Sequence, residues 1–454
     1  MKHYLDWSSY CDAGLGDAYA DIPKTGGNFA KAVSVCINSK QCESDSKGVM
    51  CPSYRVSDNP ALSPGGRVRL LKAALNSDDA DTCMASAEIA AAMDLCVSCK
   101  GCKRECENSV DMAMIKVEYL AQQSAHTKPS LRTHLISQLS EHLHHYSFAS
   151  SLARLRNKSS FVARLGEWLL AISHKRKIPQ PIEHTCLQQL KEHGDTLLES
   201  PLDEVVLFID TFTNNFSPNT GIAAKQVLEQ AGYRVHIAQT PTGERPLCCG
   251  RTHLANGLVE QAKSEAKRTL QLLLPHAKAG RRIIGLEPSC LLAIRDDYSF
   301  LELGEDATCV ASQSLLFEEF IAREISSKRF QLELKPINTN GQTLLVHGHC
   351  HQKAVGAMKS MRKALKAIPD LEFKLIESSC CGGAGSFCIE KEHADIAMQM
   401  AELSLFPALR SQPDAPILAN GFSCQQQIHE GVQRDCIHLA ELLLQASSGN
   451  LTDN

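Results

Sequence analysis

The sequence predicts an α/β protein in which a helical, cysteine-rich N-terminal domain and a helical connector precede two repeated α/β units. Three observations carry this expectation. The 454 residues include 20 cysteines, gathered in a first cluster from Cys36 to Cys106 and a second from Cys248 to Cys424. The stretch between them spaces apolar residues at three and four, as helices do. From Pro201 onward, short apolar runs alternate with longer amphipathic stretches, the grammar of βαβ units. The expected domains are residues 1–120, 121–200, 201–335 and 336–454.

A chain that is 43% hydrophobic and 22% charged, with a formal net charge of -4, is a folded globular protein; this excludes a disordered or nucleic-acid-coating chain. No run of about 18 apolar residues occurs. The start, MKHYLDWSSYCDAG, has neither the basic nor the apolar region of an export signal. A cytoplasmic protein is expected, and its thiols then serve metal or redox chemistry rather than disulfides.

In the first cluster, Cys96-x2-Cys99-x2-Cys102-x3-Cys106 places three thiolates around one cubane while the fourth reaches a neighbouring cluster. A zinc site takes two separated pairs instead, so a 4Fe-4S cluster is expected. Cys36-x5-Cys42-x8-Cys51-Pro52 is the second run, one cysteine short. If the clusters exchange fourth ligands, Cys96, Cys99, Cys102 and Cys51 hold one, and Cys36, Cys42 and Cys106 remain for the other. That second cluster is 3Fe-4S, or 4Fe-4S with a non-thiolate ligand. Asp45 is the nearest oxygen donor by sequence, although in ESDSKG it reads more readily as a solvated turn residue. The N-terminal domain is thus expected to be a helical, two-cluster ferredoxin-like unit.

In the connector, RTHLISQLSEHLHHY and SSFVARLGEWLLAISH carry helical spacing. Ser151 to Gln180 holds Arg154, Arg156, Lys158, Arg164, Lys175, Arg176 and Lys177 against Glu167 alone, with Trp168, Leu169, Leu170 and Ile172 interleaved. This pattern suits a solvated helix face; it also suits peripheral contact with an anionic membrane surface or an acidic partner.

Strands are expected at EVVLFID, YRVHIAQ, RRIIGLEP, TLLVHGH, LEFKLIES and PILANGF, with a helix at GIAAKQVLEQAG. Cys248-Cys249-Gly250 followed by Cys290 recurs as Cys380-Cys381-Gly382 followed by Cys424, an offset of about 132 to 134 residues that marks an internal repeat. Cys350 precedes the second copy, and the neighbourhood of Thr211 stands at the matching place in the first. One metal site is expected, in the second repeat, from Cys350, Cys380, Cys381 and Cys424, with Cys388 as a further candidate thiolate. The first repeat offers only Cys248, Cys249 and Cys290. His347, His349 and His351 could ligate, donate protons or simply bond the backbone at a strand end. Cys11, Cys83, Cys186, Cys309 and Cys436 lie outside any ligand spacing.

GVMCPSYR, LCVSCKGCKREC, CCGRTHLANG, LEPSC, HGHCHQKA, CCGGAGSF and NGFSC together make the chain resemble the iron-sulfur portion of FAD-linked 2-hydroxyacid dehydrogenases, related to glycolate oxidase iron-sulfur subunits and heterodisulfide-reductase-like CCG proteins. The resemblance implies an electron-transfer component with no substrate-oxidation site and no catalytic residue of its own. Its 4Fe-4S clusters, with a CCG-type cluster on the second repeat, would receive electrons from FAD on a partner dehydrogenase subunit. Those electrons would pass to a quinone or a soluble carrier, in the cytoplasm or at the inner membrane face. No dinucleotide-binding fingerprint stands in this chain, and no nucleic acid is expected. The resemblance also admits a disulfide reductase at the CCG cluster, and the residues alone a structural zinc module. Three departures from the family stand out: Glu107 follows the fourth cysteine in place of proline, Thr211 replaces a ligand cysteine, and Ala293 and Gln427 occupy the ends of incomplete CxxC pairs.

Overall fold

The computed structural model describes residues 2–16, 21–44, 48–145, 148–194, 200–241 and 243–448. Asp45 lies outside the described residues.

The N-terminal part is helical, with Pro64–Leu75, Ala87–Asp94 and Met112–His126 as its main helices. Local chemistry sets their starts. Ser63 accepts from the Gly66 amide with Pro64 in the first turn, and Asp111 accepts from the Met114 amide. Met112–His126 runs unbroken across position 120 and leads into the connector helices Leu131–Ser137, Leu139–His145, Ala149–Lys158 and Ser160–Leu170.

The rest is α/β. Strands β1 (Asp203–Phe208), β2 (Tyr233–Ile237), β3 (Arg282–Gly285) and β4 (Ser314–Leu316) form a parallel sheet of order β2-β1-β3-β4. Strands β5 (Leu344–His347), β6 (Phe373–Leu375) and β7 (Ile417–Ala419) form a second parallel sheet, β6-β5-β7. Central strands β1 and β5 bury Val205 through Phe208 and Leu344 through His347, the continuous apolar run of a strand covered on both faces. β4 was not anticipated: three residues, SLL, between two helices give no readable alternation.

The two repeats share a core in which Val205 and Leu207 pack with Leu344, Val346 and Leu439. A second core joins the N-terminal helices to the first repeat, with Trp7 against Phe29 and Phe300. Among the described residues no helix is long and apolar enough to cross a membrane.

The connector corrects one expectation. Arg156 and Arg176 do not belong to an exposed basic face: both are buried, Arg156 donating to the carbonyls of Ser173 and Arg176, and Arg176 pairing with Glu430. Lys175 pairs with Asp395. Arg154, Lys158, Arg164 and Lys177 remain at the surface. Beside them stand Leu152, Leu155, Phe161, Leu165, Trp168 and Leu169, with Phe161 75% and Trp168 79% exposed.

Candidate metal centres

All 20 cysteines are free thiols, and the expected ligands gather in three neighbouring sets. Cys51, Cys96, Cys99 and Cys102 line one small cavity, together with Met50, Pro64 and Arg67. The loop that presents Cys96 and Cys99 turns through Ser98 and Lys100, whose φ angles of 48° and 58° are left-handed, and runs into the short helix Gly101–Glu105 that carries Cys102. Cys36 lies with Cys42 and Cys106 in a second set, and the Gly65 amide donates to Cys42 Sγ at 3.4 Å. Cys51 also stands near Cys42, so the two sets adjoin.

The third set is in the second repeat. Cys350 opens a short helix, Cys350–Ala354, three residues beyond the end of β5. Cys380 and Cys381 follow β6, and Cys424 lies in the helix Phe422–Val432 after β7. Cys381 and Cys424 sulfurs stand 3.3 Å apart, and the amides of Gly382 and Gly383 donate to Cys380 and Cys381 Sγ, each at 3.4 Å. Gly382 is required twice over: its φ is 80°, and a Cβ there would sit 2.1 Å from the Ala397 carbonyl oxygen.

The sets adjoin. Cys99 packs with Cys350 and Cys380 around Val49, so the first cavity abuts the third set. Burial, then the nearby Cys350 thiol, push Cys99 well above the ordinary thiol range. Cys350 is raised by its contact with Cys380 and by burial. Buried thiols this crowded cannot all ionise unless a cation shares the space, which is the chemistry of a metal–thiolate site.

Two cations, the buried Arg67 and the half-buried Lys353, stand beside these sulfurs, and spacing alone gives no sign of either. Arg67, fully buried, donates to Cys51 Sγ at 3.5 Å and to Ser53 Oγ at 2.9 Å. Burial alone would raise Cys51, but the Arg67 guanidinium and the Ser53 hydroxyl hold its thiol below the usual value. Lys353 Nζ donates to the Ser378 carbonyl at 2.6 Å, Ser378 Oγ at 3.0 Å and the Ser379 carbonyl at 3.1 Å, beside the third set. A third charged group ties the N-terminal part to the first repeat: Asp297, fully buried, takes Lys100 on one side and Arg251 at 2.6 Å on the other. Burial raises Asp297, yet the two cations hold it below the ordinary carboxylate range.

The three histidines separate by role. His349 caps the helix that Cys350 opens, its Nδ1 accepting from the His351 amide at 3.1 Å. His351 Nε2 bonds the Ser98 carbonyl at 3.0 Å. Of the three, His347 joins the sulfurs: one of its ring nitrogens and the Cys381 and Cys424 sulfurs lie within 4.8 Å of one another. Cys388 sits apart, among Phe387, Ala397 and Met400 and beside Arg176. Gln427 is likewise turned away, donating to the Ala397 carbonyl at 3.0 Å. Cys186 is a core residue against Leu190 and Val205, and Cys11 is exposed.

In the first repeat Cys248, Cys249 and Cys290 also converge, but the Thr211 hydroxyl hydrogen-bonds Cys248 where the second repeat has Cys350. A further cluster, Glu390, Glu392 and His393, is balanced by Arg132, which lies 2.9 Å from Glu392 Oε2, and by the contact of His393 with Asp94. Between the N-terminal helices and the repeats opens a cavity of ≈ 630 Å³, walled by Cys96, Arg251, His349, Cys380, Cys381 and Phe422 among others.

Paired parallel α/β units with cysteines converging at the carboxyl ends of their strands define a class of thiol-rich domain protein. Residues 210–295 and 344–429 each match the CCG cysteine-rich domain, so the chain carries two copies of it. Across 458 residues it is 24% identical to the D-2-hydroxyglutarate dehydrogenase of Escherichia coli K12, covering 88% of this chain and 42% of that protein. One subunit of the anaerobic glycerol-3-phosphate dehydrogenase of the same organism is 25% identical over 324 residues, 70% of this chain and 78% of the relative. Lactate utilization protein A 1 of Bacillus mycoides is 23% identical over 253 residues, 53% of this chain and 96% of the relative. The chain thus spans less than half of the D-2-hydroxyglutarate dehydrogenases that it matches.

Proposed function

We propose that this chain is the iron-sulfur electron-transfer subunit of a flavin-linked 2-hydroxyacid dehydrogenase of the glycolate, D-lactate or 2-hydroxyglutarate type. The observation that carries the reading is the row of adjoining thiol sets, from Cys36, Cys42 and Cys106 through Cys51, Cys96, Cys99 and Cys102 to Cys350, Cys380, Cys381 and Cys424. Held there, 4Fe-4S clusters, with a 3Fe-4S cluster as the alternative at the three-cysteine set, would take electrons one at a time. The chain's own work is to hold and tune: the buried thiols supply ligands, amides such as those of Gly65, Gly382 and Gly383 donate to sulfur, and Arg67 and Lys353 offset the negative charge of the sets. The first repeat, with Thr211 in place of a thiol, holds no cluster of its own.

Hydroxyacid oxidation is assigned to FAD on a separate dehydrogenase subunit, in keeping with a relative that is named as one subunit of a dehydrogenase. The acceptor is a quinone or soluble carrier. For a quinone, the connector face with Arg154, Lys158 and Arg164 beside Phe161, Trp168 and Leu169 rests on anionic lipid, through charge and apolar burial together. Binding to anionic liposomes that is lost when the three cations are reversed supports this contact, and indifference to reversal removes it.

Iron and acid-labile sulfide on anaerobically purified protein, with low-temperature EPR, test the reading. Roughly eight to twelve irons per chain, and reduction by hydroxyacid only when the flavoprotein is added, are expected. Zinc with negligible iron overturns it and leaves a structural module. The cavity beside Cys380 and Cys381 favours one second reading, reduction of a bound disulfide there, which turnover of a disulfide by the reduced protein would establish.

A further inference from the structure

The two repeats differ at three linked positions. His347 is the last residue of β5, and its counterpart at the end of β1 is Phe208. Three residues on, Cys350 answers to Thr211. Two residues before each cysteine pair, Ser378 answers to Pro246. Histidine, serine and a further thiol therefore arrive together in the second repeat and are absent together from the first.

His347 is 1% exposed, and its two ring nitrogens face different surroundings. Nδ1 meets Ser378 Oγ at 3.0 Å. That oxygen has two acceptor lone pairs; Lys353 Nζ, 3.0 Å away, uses one and the Nδ1–H can use the other. In that arrangement Nε2 keeps its own lone pair. Nε2 is buried with no hydrogen-bond partner, and one nitrogen of the ring stands within 4.8 Å of the Cys381 and Cys424 sulfurs. Bonds of about 2.0–2.1 Å to imidazole and about 2.3 Å to thiolate bridge a separation of that order through one metal atom. An orphaned buried nitrogen is costly unless something binds it, and a ring anchored through its other nitrogen is how proteins hold a metal-ligating histidine.

We propose that His347 is a ligand of the centre in the second repeat, bound through Nε2 beside the thiolates of Cys381 and Cys424, so that the centre is a mixed thiolate–imidazole site. This rests on the assignment of a metal centre to that repeat. The set is two-sided: Cys350 and Cys380 pack on Cys99, whereas Cys381 and Cys424 stand with His347. Cys350, Cys380 and Cys381 line the large cavity beside the N-terminal helices, and His347 is not part of that lining.

X-ray absorption at the iron and zinc edges, on anaerobically purified whole protein and on His347→Phe, tests the assignment. His347→Phe installs the residue that the first repeat carries. The expected result is outer-shell imidazole scattering in the wild type that is lost in the variant, with one nitrogen gone from the first shell. Identical spectra, with sulfur-only coordination, overturn the histidine ligand while leaving the metal centre standing. Absence of metal–sulfur scattering in the wild type sinks the centre and this assignment together. Should His347→Phe fail to fold, His347→Cys carries the decision: nitrogen replaced by sulfur at unchanged metal content supports the ligand, and an unchanged spectrum overturns it.

Discussion

The two CCG repeats place a cysteine pair and a later cysteine at corresponding points beyond parallel strands, yet their surroundings diverge within a few residues. In the first, Phe208, Thr211 and Pro246 leave three thiols capped by a hydroxyl; in the second, Cys350 makes a fourth thiol, with His347, Ser378 and the ammonium of Lys353 beside the set. The scaffold positions sulfur in both. What distinguishes them is the residue opening the first helix after the central strand, since Thr211 fills with a hydrogen bond the space that Cys350 fills with a donor atom. A repeat can thus keep its architecture while its donor set shrinks, because the core shared between the repeats is built from Val205, Leu207, Leu344 and Val346 rather than from the thiols.

The largest expected effect comes from imposing the first repeat on the second. Cys350→Thr should abolish metal at the second-repeat centre, read as the loss of one centre's metal per chain while the signals of the N-terminal clusters persist; undiminished metal breaks the comparison. Next is the tie between the N-terminal helices and the first repeat. Asp297→Ala leaves Lys100 buried without its carboxylate, which should cost about 3–5 kcal/mol in denaturant unfolding. The reverse exchange, Thr211→Cys, completes a set of four thiols in the first repeat and should raise bound metal above the wild-type ratio on reconstitution. Unchanged metal would show that Phe208 and Pro246 also matter.

The smallest expected effect is a pH dependence at the second repeat. Burial lowers the His393 imidazolium, but hydrogen bonds to Asp94 at 2.7 Å and Glu390 at 2.8 Å outweigh it and push the group up to about 9. A group raised on folding adds stability that is complete below its unfolded value, near 6.5, and lost as pH climbs through about 9. Urea midpoints should therefore fall between pH 7 and 9 in the wild type and fall less in His393→Gln; parallel curves would remove His393 from the account.

Much of the site was legible because cysteine spacing is local. Cys96, Cys99 and Cys102 lie within one loop and the short helix that follows it, and the pair Cys380–Cys381 announced its repeat by matching Cys248–Cys249. Strands β1 and β5 were readable as apolar runs ending in a polar residue or glycine. Burial of charge was not readable. Arg67 in PGGRVRLLK and Arg156 in ARLRNK look like surface cations, and only tertiary packing turns them inward to Cys51 and to the Ser173 carbonyl. The link from Lys100 to Asp297 spans 197 residues, a separation over which no periodic pattern speaks. His347, His349 and His351 alternate in sequence, but their three fates were set by Ser378, the helix start at Cys350 and the Ser98 carbonyl.

The interleaving of the first two sulfur sets has a consequence for biosynthesis. Cys51 falls between Cys42 and Cys106 in the chain, yet it lines the cavity of Cys96, Cys99 and Cys102. A nascent chain that has emerged only to Asp94 presents Cys36, Cys42 and Cys51 and completes neither set. The first set is complete only once Cys102 has cleared the ribosome and the second only once Cys106 has, so any metal that either set holds would load after this part of the chain is made.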